Sequence, residues 1–190
     1  MHSMMLVGVG GQGTLLASRV LGHLLLEQGL DVKVSEVHGM SQRGGSVVTY
    51  VRWGKQVASP TVCKGGADYI VSFEQLEALR WAPWLKKTGV MVVNTQKIAP
   101  MPVITGAASY PEGILEDLTV NGAKLVTCDA LPLALQAGNP KCVNVVLLGV
   151  LSTLMNVDEA CWLDALRACV PAKLLDMNLK AFELGRNACR

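Results

Sequence analysis

The sequence is poor in charge and in aromatic rings. Charged residues make up 17% and aromatics 5% of 190 positions, against 51% hydrophobic residues. That balance excludes an intrinsically disordered chain, which needs high charge and little apolar material. It supplies a full core, and residues 1–190 read as a single domain, because domains commonly hold roughly 100–200 residues. The formal net charge is only +2, too small to argue for nucleic acid or an anionic membrane as a partner. No run reaches the ~18 consecutive apolar residues of a membrane helix. The longest candidate, Val143 to Met155, is interrupted by Asn144 and reads as a buried helix. The surplus of apolar residues points to a subunit interface. The opening MHSMMLVG has neither the basic region nor the cleavage site of a signal peptide, so the expected compartment is the cytoplasm.

Paired cysteines are missing too. Cys63, Cys128, Cys142, Cys161, Cys169 and Cys189 include no C-x-x-C pair, so spacing yields neither a zinc site nor an iron–sulfur cluster. In apolar surroundings and a reducing compartment they read as small core residues. There is no linker rich in Gly, Ser or Pro, no repeat and no low-complexity segment.

What is present is an alternation of strand-like and helix-like segments. Met4 to Val9 reads as a buried strand, and Gln12 to Gln28 repeats leucines at helical spacing up to Gly29. Val32, Val34 and Val37 mark a second strand, and VVTYVRWG a third. WGKQV reads as a turn into a short strand, which would make part of the sheet antiparallel. GGADYIVSF, GVMVVN and AKLVTCDA supply further strands, with a helix over Glu74 to Trp84. MPVITG reads as a strand and YPEGILEDL as a helix. Asp129 and Asp158 stand where helix caps belong, and the pattern from Val143 to the end is helical, broken at Pro171. The fold class is therefore α/β: a three-layer α/β/α, Rossmann-like domain with a mostly parallel sheet and an antiparallel hairpin.

The first strand runs into GVGGQG. Gly8, Gly10 and Gly13 fit G-x-G-x-x-G between a strand and a helix. Glycines let backbone N–H groups approach an anion, and the helix start adds a positive field. Three readings stay open on these residues alone. One is a nicotinamide dinucleotide site, with Glu36 as the ribose-binding acid of a stand-alone oxidoreductase. Another is a site for some other phosphate, with Gly11 and the Gln12 amide at the tip. The third is a tight turn. A second glycine-rich stretch, HGMSQRGGS, follows the second strand and contains His38, Ser41, Gln42 and Arg43. If its strand neighbours the first, the two loops share a crevice and Arg43 is a cation for a phosphate or carboxylate.

His38 is the histidine placed in a glycine-rich loop, but a general base needs an orienting partner that sequence does not show. Ser41 has no evident acid–base partner, which leaves a hydrolase triad unsupported. Arg52, Lys55 and Lys64 read as a solvated face. The four tryptophans read as core or interface, and Asn178 as a helix amide or a bond across the crevice.

The stretches GVGGQGTLLASRVL, EVHGMSQRGGSVVTYVRWG, GADYIVSFEQLEALR and NVVLLGVLS…NLKAFELG together resemble the gamma-type domain of 2-oxoacid:ferredoxin oxidoreductases, over nearly the whole chain. The resemblance implies a subunit of an enzyme that decarboxylates a 2-oxoacid oxidatively with thiamine diphosphate, iron–sulfur clusters, coenzyme A and ferredoxin. It implies that thiamine and the clusters sit on a larger partner subunit. This chain has no G-D-G segment of the thiamine type, and it is not expected to act alone. It implies coenzyme A held at Gly8, Gly10, Gly11, Gln12 and Gly13, with His38, Gln42 and Arg43 flanking the partner's active site. A non-catalytic assembly subunit, whose loops only shape an interface, is the remaining alternative.

Overall fold

The computed structural model describes residues 1–36, 45–120 and 122–188. The chain runs through β1 (His2–Val9), α1 (Thr14–Glu27), β2 (Asp31–Glu36), β3 (Ser46–Gly54), β4 (Ala67–Ser72), α2 (Gln75–Trp81), β5 (Leu85–Asn94), α3 (Met101–Ile104), α4 (Ile114–Val120) and β6 (Lys124–Cys128). It ends in α5 (Ala130–Ala137), α6 (Val143–Ser152), α7 (Glu159–Cys169) and α8 (Ala172–Asn187). The described strands form one sheet in the order β2-β3-β1-β4-β5-β6. β1, β4, β5 and β6 are parallel, and β3 is antiparallel to β1 and β2 on either side.

β1 is a continuous apolar run because both of its faces are covered. Met4 and Leu6 point into one core, with α1 and the helices from α5 to α8, while Met5 and Val7 point into the other, with α2 and α4. This period-two alternation divides the molecule into three layers. α6 is buried at every residue, which accounts for the apolar run around Asn144. It crosses α8 closely. A Cβ on Gly149 would lie 2.2 Å from the Phe182 carbonyl oxygen, and one on Gly185 would lie 2.0 Å from that of Val146. No helix of the described residues is long and apolar enough to cross a membrane.

Three local expectations are corrected. The antiparallel part of the sheet is β3 itself, inserted between β2 and β1. WGKQV leads into no strand; instead the Arg52 guanidinium holds the following segment by donating to the carbonyls of Ser59 and Thr61 at 2.8 and 2.9 Å. MPVITG begins as the one-turn α3, since a proline early in the turn fits a helix start and lacks the N–H a strand needs. Asp129 and Asp158 occupy cap positions, yet neither side chain makes a cap bond.

Candidate functional site

At the carboxyl end of β1 the chain turns from Val9 through Gly10, Gly11, Gln12 and Gly13 into α1. The turn is tied down on either side of Gly11. The Gln12 N–H donates to the Val9 carbonyl at 3.2 Å. Its side-chain Oε1 accepts from the Val9 N–H at 2.8 Å, and its Nε2 donates to the Phe73 carbonyl at 2.9 Å. Gln12 thus fastens the loop to the β4–α2 junction with both ends of its carboxamide. Gly8 leaves room for this arrangement, because a Cβ there would sit 2.8 Å from Gln12 Oε1 and 2.9 Å from Phe73 Cβ. Gly13 has φ +84°, and a Cβ on it would meet Asn144 Nδ2 at 2.6 Å. That same amide donates to the Gly13 carbonyl at 3.0 Å. Gly11 differs: at φ +100° its Cβ direction meets nothing within 4 Å among the described residues.

β1 and β4 are adjacent and parallel, and the helices that follow them, α1 and α2, lie on opposite faces. This is a topological switch point, where the carboxyl ends of an α/β sheet leave a crevice. A cleft of about 430 Å³ opens there. Its polar lining comes from Gly11, Gln12, Gly13, Gln96, Lys141 and Asn144, over an apolar floor that includes Leu16 and Ile98. The amides of Gly10 and Gln12 are engaged, the first with the Gly45 carbonyl at 2.9 Å. Those of Gly11 and Gly13 have no acceptor among the described residues. The first-turn amides of α1 lack intrahelical acceptors, and that turn holds no acidic residue. Lys141 adds a positive charge, and no carboxylate lines the cleft among the described residues. The Asn139 side chain accepts from the Lys141 N–H at 2.9 Å, holding this backbone just before α6, where Lys141 lines the same cleft as Gly13.

The far wall is held from below. Asn94 is fully buried; its Nδ2 donates to the Phe73 carbonyl at 3.0 Å, and its Oδ1 accepts from the Ala130 N–H at 3.2 Å at the head of α5. Asn94 therefore serves the helix start that Asp129 does not. Glu74, 1% exposed, accepts from the N–H groups of Glu77 and Ile98, both at 3.0 Å, and from the Tyr110 hydroxyl. Burial, and then the Glu74 carboxylate, push the Tyr110 phenol well above its ordinary pKa. The buried Glu77 accepts from Ser46 Oγ at 2.5 Å and from Arg80 Nε at 3.1 Å.

Of the residues singled out in the sequence, Gly11, Gln12 and Gly13 line the cleft, while Gly8 and Gly10 shape the turn beneath it. His38, Ser41, Gln42 and Arg43 lie outside the described residues, as do Val37 and Cys189. The residues bounding that stretch are at the same edge: Glu36 ends β2, and Gly45 is bonded to Gly10. Glu36 accepts from Ser18 Oγ at 2.6 Å. Because β3 intervenes, Glu36 stands two strand spacings, about 10 Å, from β1. A ribose-binding acid in a dinucleotide fold sits on the neighbouring strand, so the geometry removes the support Glu36 gave to the nicotinamide reading. Asn178 donates to the Leu174 carbonyl within its own helix. Lys141, Asn144, Gln96, Asn94 and Glu74 escape sequence reasoning; the one hint is an amide within the apolar run of α6.

The model of the family described as "Pyruvate ferredoxin/flavodoxin oxidoreductase" matches residues 3–188. The chain belongs to this family. It is 43% identical to the protein named "Indolepyruvate oxidoreductase subunit IorB" of Thermococcus kodakarensis, over all of this chain and 96% of that one. It is 38% identical to the protein of the same name from Archaeoglobus fulgidus, over 97% and 94%. Among solved structures, it resembles the gamma subunit of a keto/oxoacid ferredoxin oxidoreductase from Geobacter sulfurreducens with a TM-score of 0.74 at 20% identity, covering 100% of this chain and 98% of that one. It also resembles the 2-oxoglutarate:ferredoxin oxidoreductase of Magnetococcus marinus, with a TM-score of 0.73 at 19% identity. It covers 31% of that chain, with 99% of its own length. These likenesses show the α/β fold, and family membership makes the chain a subunit of a 2-oxoacid:ferredoxin oxidoreductase complex.

Proposed function

We propose that this chain is the subunit of an oxidoreductase for indolepyruvate, or a related 2-oxoacid, that holds coenzyme A against the partner's active site. The 2-oxoacid class follows the names of the relatives above. The observation that carries the binding role is the cleft at the switch point: open at Gly11, flanked by the amides of Gly11 and Gly13, and containing Lys141 without a carboxylate. Peptide N–H groups and a helix start favour a diphosphate, and a lysine adds a charge-assisted contact. The apolar floor at Leu16 and Ile98 suits an uncharged stretch of ligand.

In this reading thiamine diphosphate and the iron–sulfur clusters reside on a larger partner subunit, which passes electrons to ferredoxin. When bound there, they supply the decarboxylation and the electron acceptance. This chain's residues bind and orient: Gln12 and Asn144 fix the turn, Lys141 offsets part of the diphosphate charge, and Gln96 closes the side facing α2. His38, Gln42 and Arg43 lie outside the described residues, and we assign them, from the family resemblance, to the face turned toward the partner.

The test is hydrogen exchange on the assembled complex with coenzyme A, NAD or thiamine diphosphate added separately. Protection of the amides from Gly11 to Leu15 by coenzyme A, without protection by NAD, is the expected result. Protection by NAD, or by none of the three, contradicts the reading.

A further inference from the structure

Residues 98–111 carry no charged side chain, yet most of this stretch lies at the surface. It forms a strap that leaves the carboxyl end of β5 and returns before α4. Both feet stand on one buried carboxylate: Glu74 accepts from the Ile98 N–H at 3.0 Å and from the Tyr110 hydroxyl. Lys97 lies 5.8 Å from the centre of the Tyr110 ring and closes the neck. Between the feet, α3 follows Pro100 at its N-cap and carries Pro102 in its first turn, and Thr105 Oγ1 donates back to the Met101 carbonyl at 3.0 Å. Met101 and Ile104, one helical turn apart, are 66% and 65% exposed.

Large side chains held outward on a fixed frame bear a standing solvation cost in an isolated chain. Interface cores are depleted in charge and reward preorganised surfaces, because less freedom is lost on docking. We propose that the strap from Ile98 to Tyr110 seats the catalytic partner subunit of the complex, with Met101 and Ile104 entering a charge-poor apolar recess on that partner. The choice of occupant rests on the cleft reading: Ile98, at one foot, also lines the cleft, so a subunit seated on the strap overhangs the site its reaction uses. The strap thereby places the coenzyme site at the subunit boundary.

The test is assembly. Met101→Lys with Ile104→Lys in the full chain is co-expressed with the partner subunits, and association is followed by native mass spectrometry and size exclusion. The control is Val120→Lys, at an 86% exposed position at the opposite end of the sheet. The double variant is expected to weaken assembly at least tenfold while melting within a few degrees of wild type; the control assembles normally. If the double variant melts early, hydrogen exchange on the wild-type chain, free and assembled, decides: strap amides slowed by assembly support the proposal, and unchanged amides overturn it. Unimpaired assembly of a folded double variant also overturns it, as does a strap that pairs two copies of this chain. No coenzyme enters these measurements, so a blank coenzyme titration leaves the assembly result independent.

Discussion

The carboxamides of Gln12 and Asn94 converge on a single acceptor, the carbonyl of Phe73, at 2.9 and 3.0 Å. One comes from the glycine turn after β1 and the other from the end of β5, so this carbonyl ties both sides of the cleft to the β4–α2 junction. Asn94→Ala strands the buried Ala130 N–H and is expected to destabilise the chain by about 2–3 kcal/mol, Gln12→Ala by about 1–2 kcal/mol. Because the two share an acceptor, a double-mutant cycle by urea denaturation should show a coupling of about 0.5 kcal/mol or more. Strict additivity would deny the shared role.

Gly11 and Gly13 both have positive φ, yet they differ in surroundings. Gly11→Ala meets no described residue within 4 Å and is expected to cost about 1 kcal/mol in backbone strain. Gly13→Ala adds a collision with Asn144 at 2.6 Å and should cost about 2 kcal/mol more, as an overpacked site does. Chemical denaturation of the two variants measures the order; equal costs would mean that Asn144 does not brace the loop.

Gly149→Ala or Gly185→Ala drives a methyl into the carbonyls of Phe182 or Val146 across the α6–α8 crossing. Those neighbours are helix backbone and yield little, so each variant is expected to lose about 3 kcal/mol or fail to fold. A melting temperature close to wild type would contradict the crossing.

Tyr110 gives a pH signature. Its phenol is raised in the folded chain, so above the ordinary value near 10 the unfolded chain has released a proton that the folded chain keeps. The contribution is complete below pH ~10 and is lost as pH rises toward the folded value. Urea midpoints between pH 8 and 11.5 should fall more steeply for wild type than for Tyr110→Phe. Parallel curves would place the hydroxyl outside the Glu74 contact.

Much of this architecture is legible from periodicity. The apolar run of β1 and the leucine spacing of α1 report burial directly, so their positions agree with the structure. The place of β3 does not follow from its residues, since VVTYVRWG pairs equally well in either direction and the pairing partner is a long-range choice. MPVITG misleads because β-branched side chains outweigh a proline whose position marks a helix start. In the site, the glycines announce a tight approach of backbone but not what fills it: Gln12 reads as a group for a ligand and is fastened to Val9 and Phe73. Lys141 and Asn144 lie about 130 residues from the loop they complete, and no local pattern carries that contact.

Coenzyme A binding at this cleft requires a diphosphate held between the glycine turn and Lys141. Calorimetric titration of the assembled complex with coenzyme A, using wild type, Lys141→Arg and Lys141→Glu, tests it most directly. A charge-assisted contact of about 1.5–3 kcal/mol predicts an affinity at least tenfold weaker for Lys141→Glu, with Lys141→Arg within about threefold of wild type. Equal affinity for all three proteins would contradict the claim.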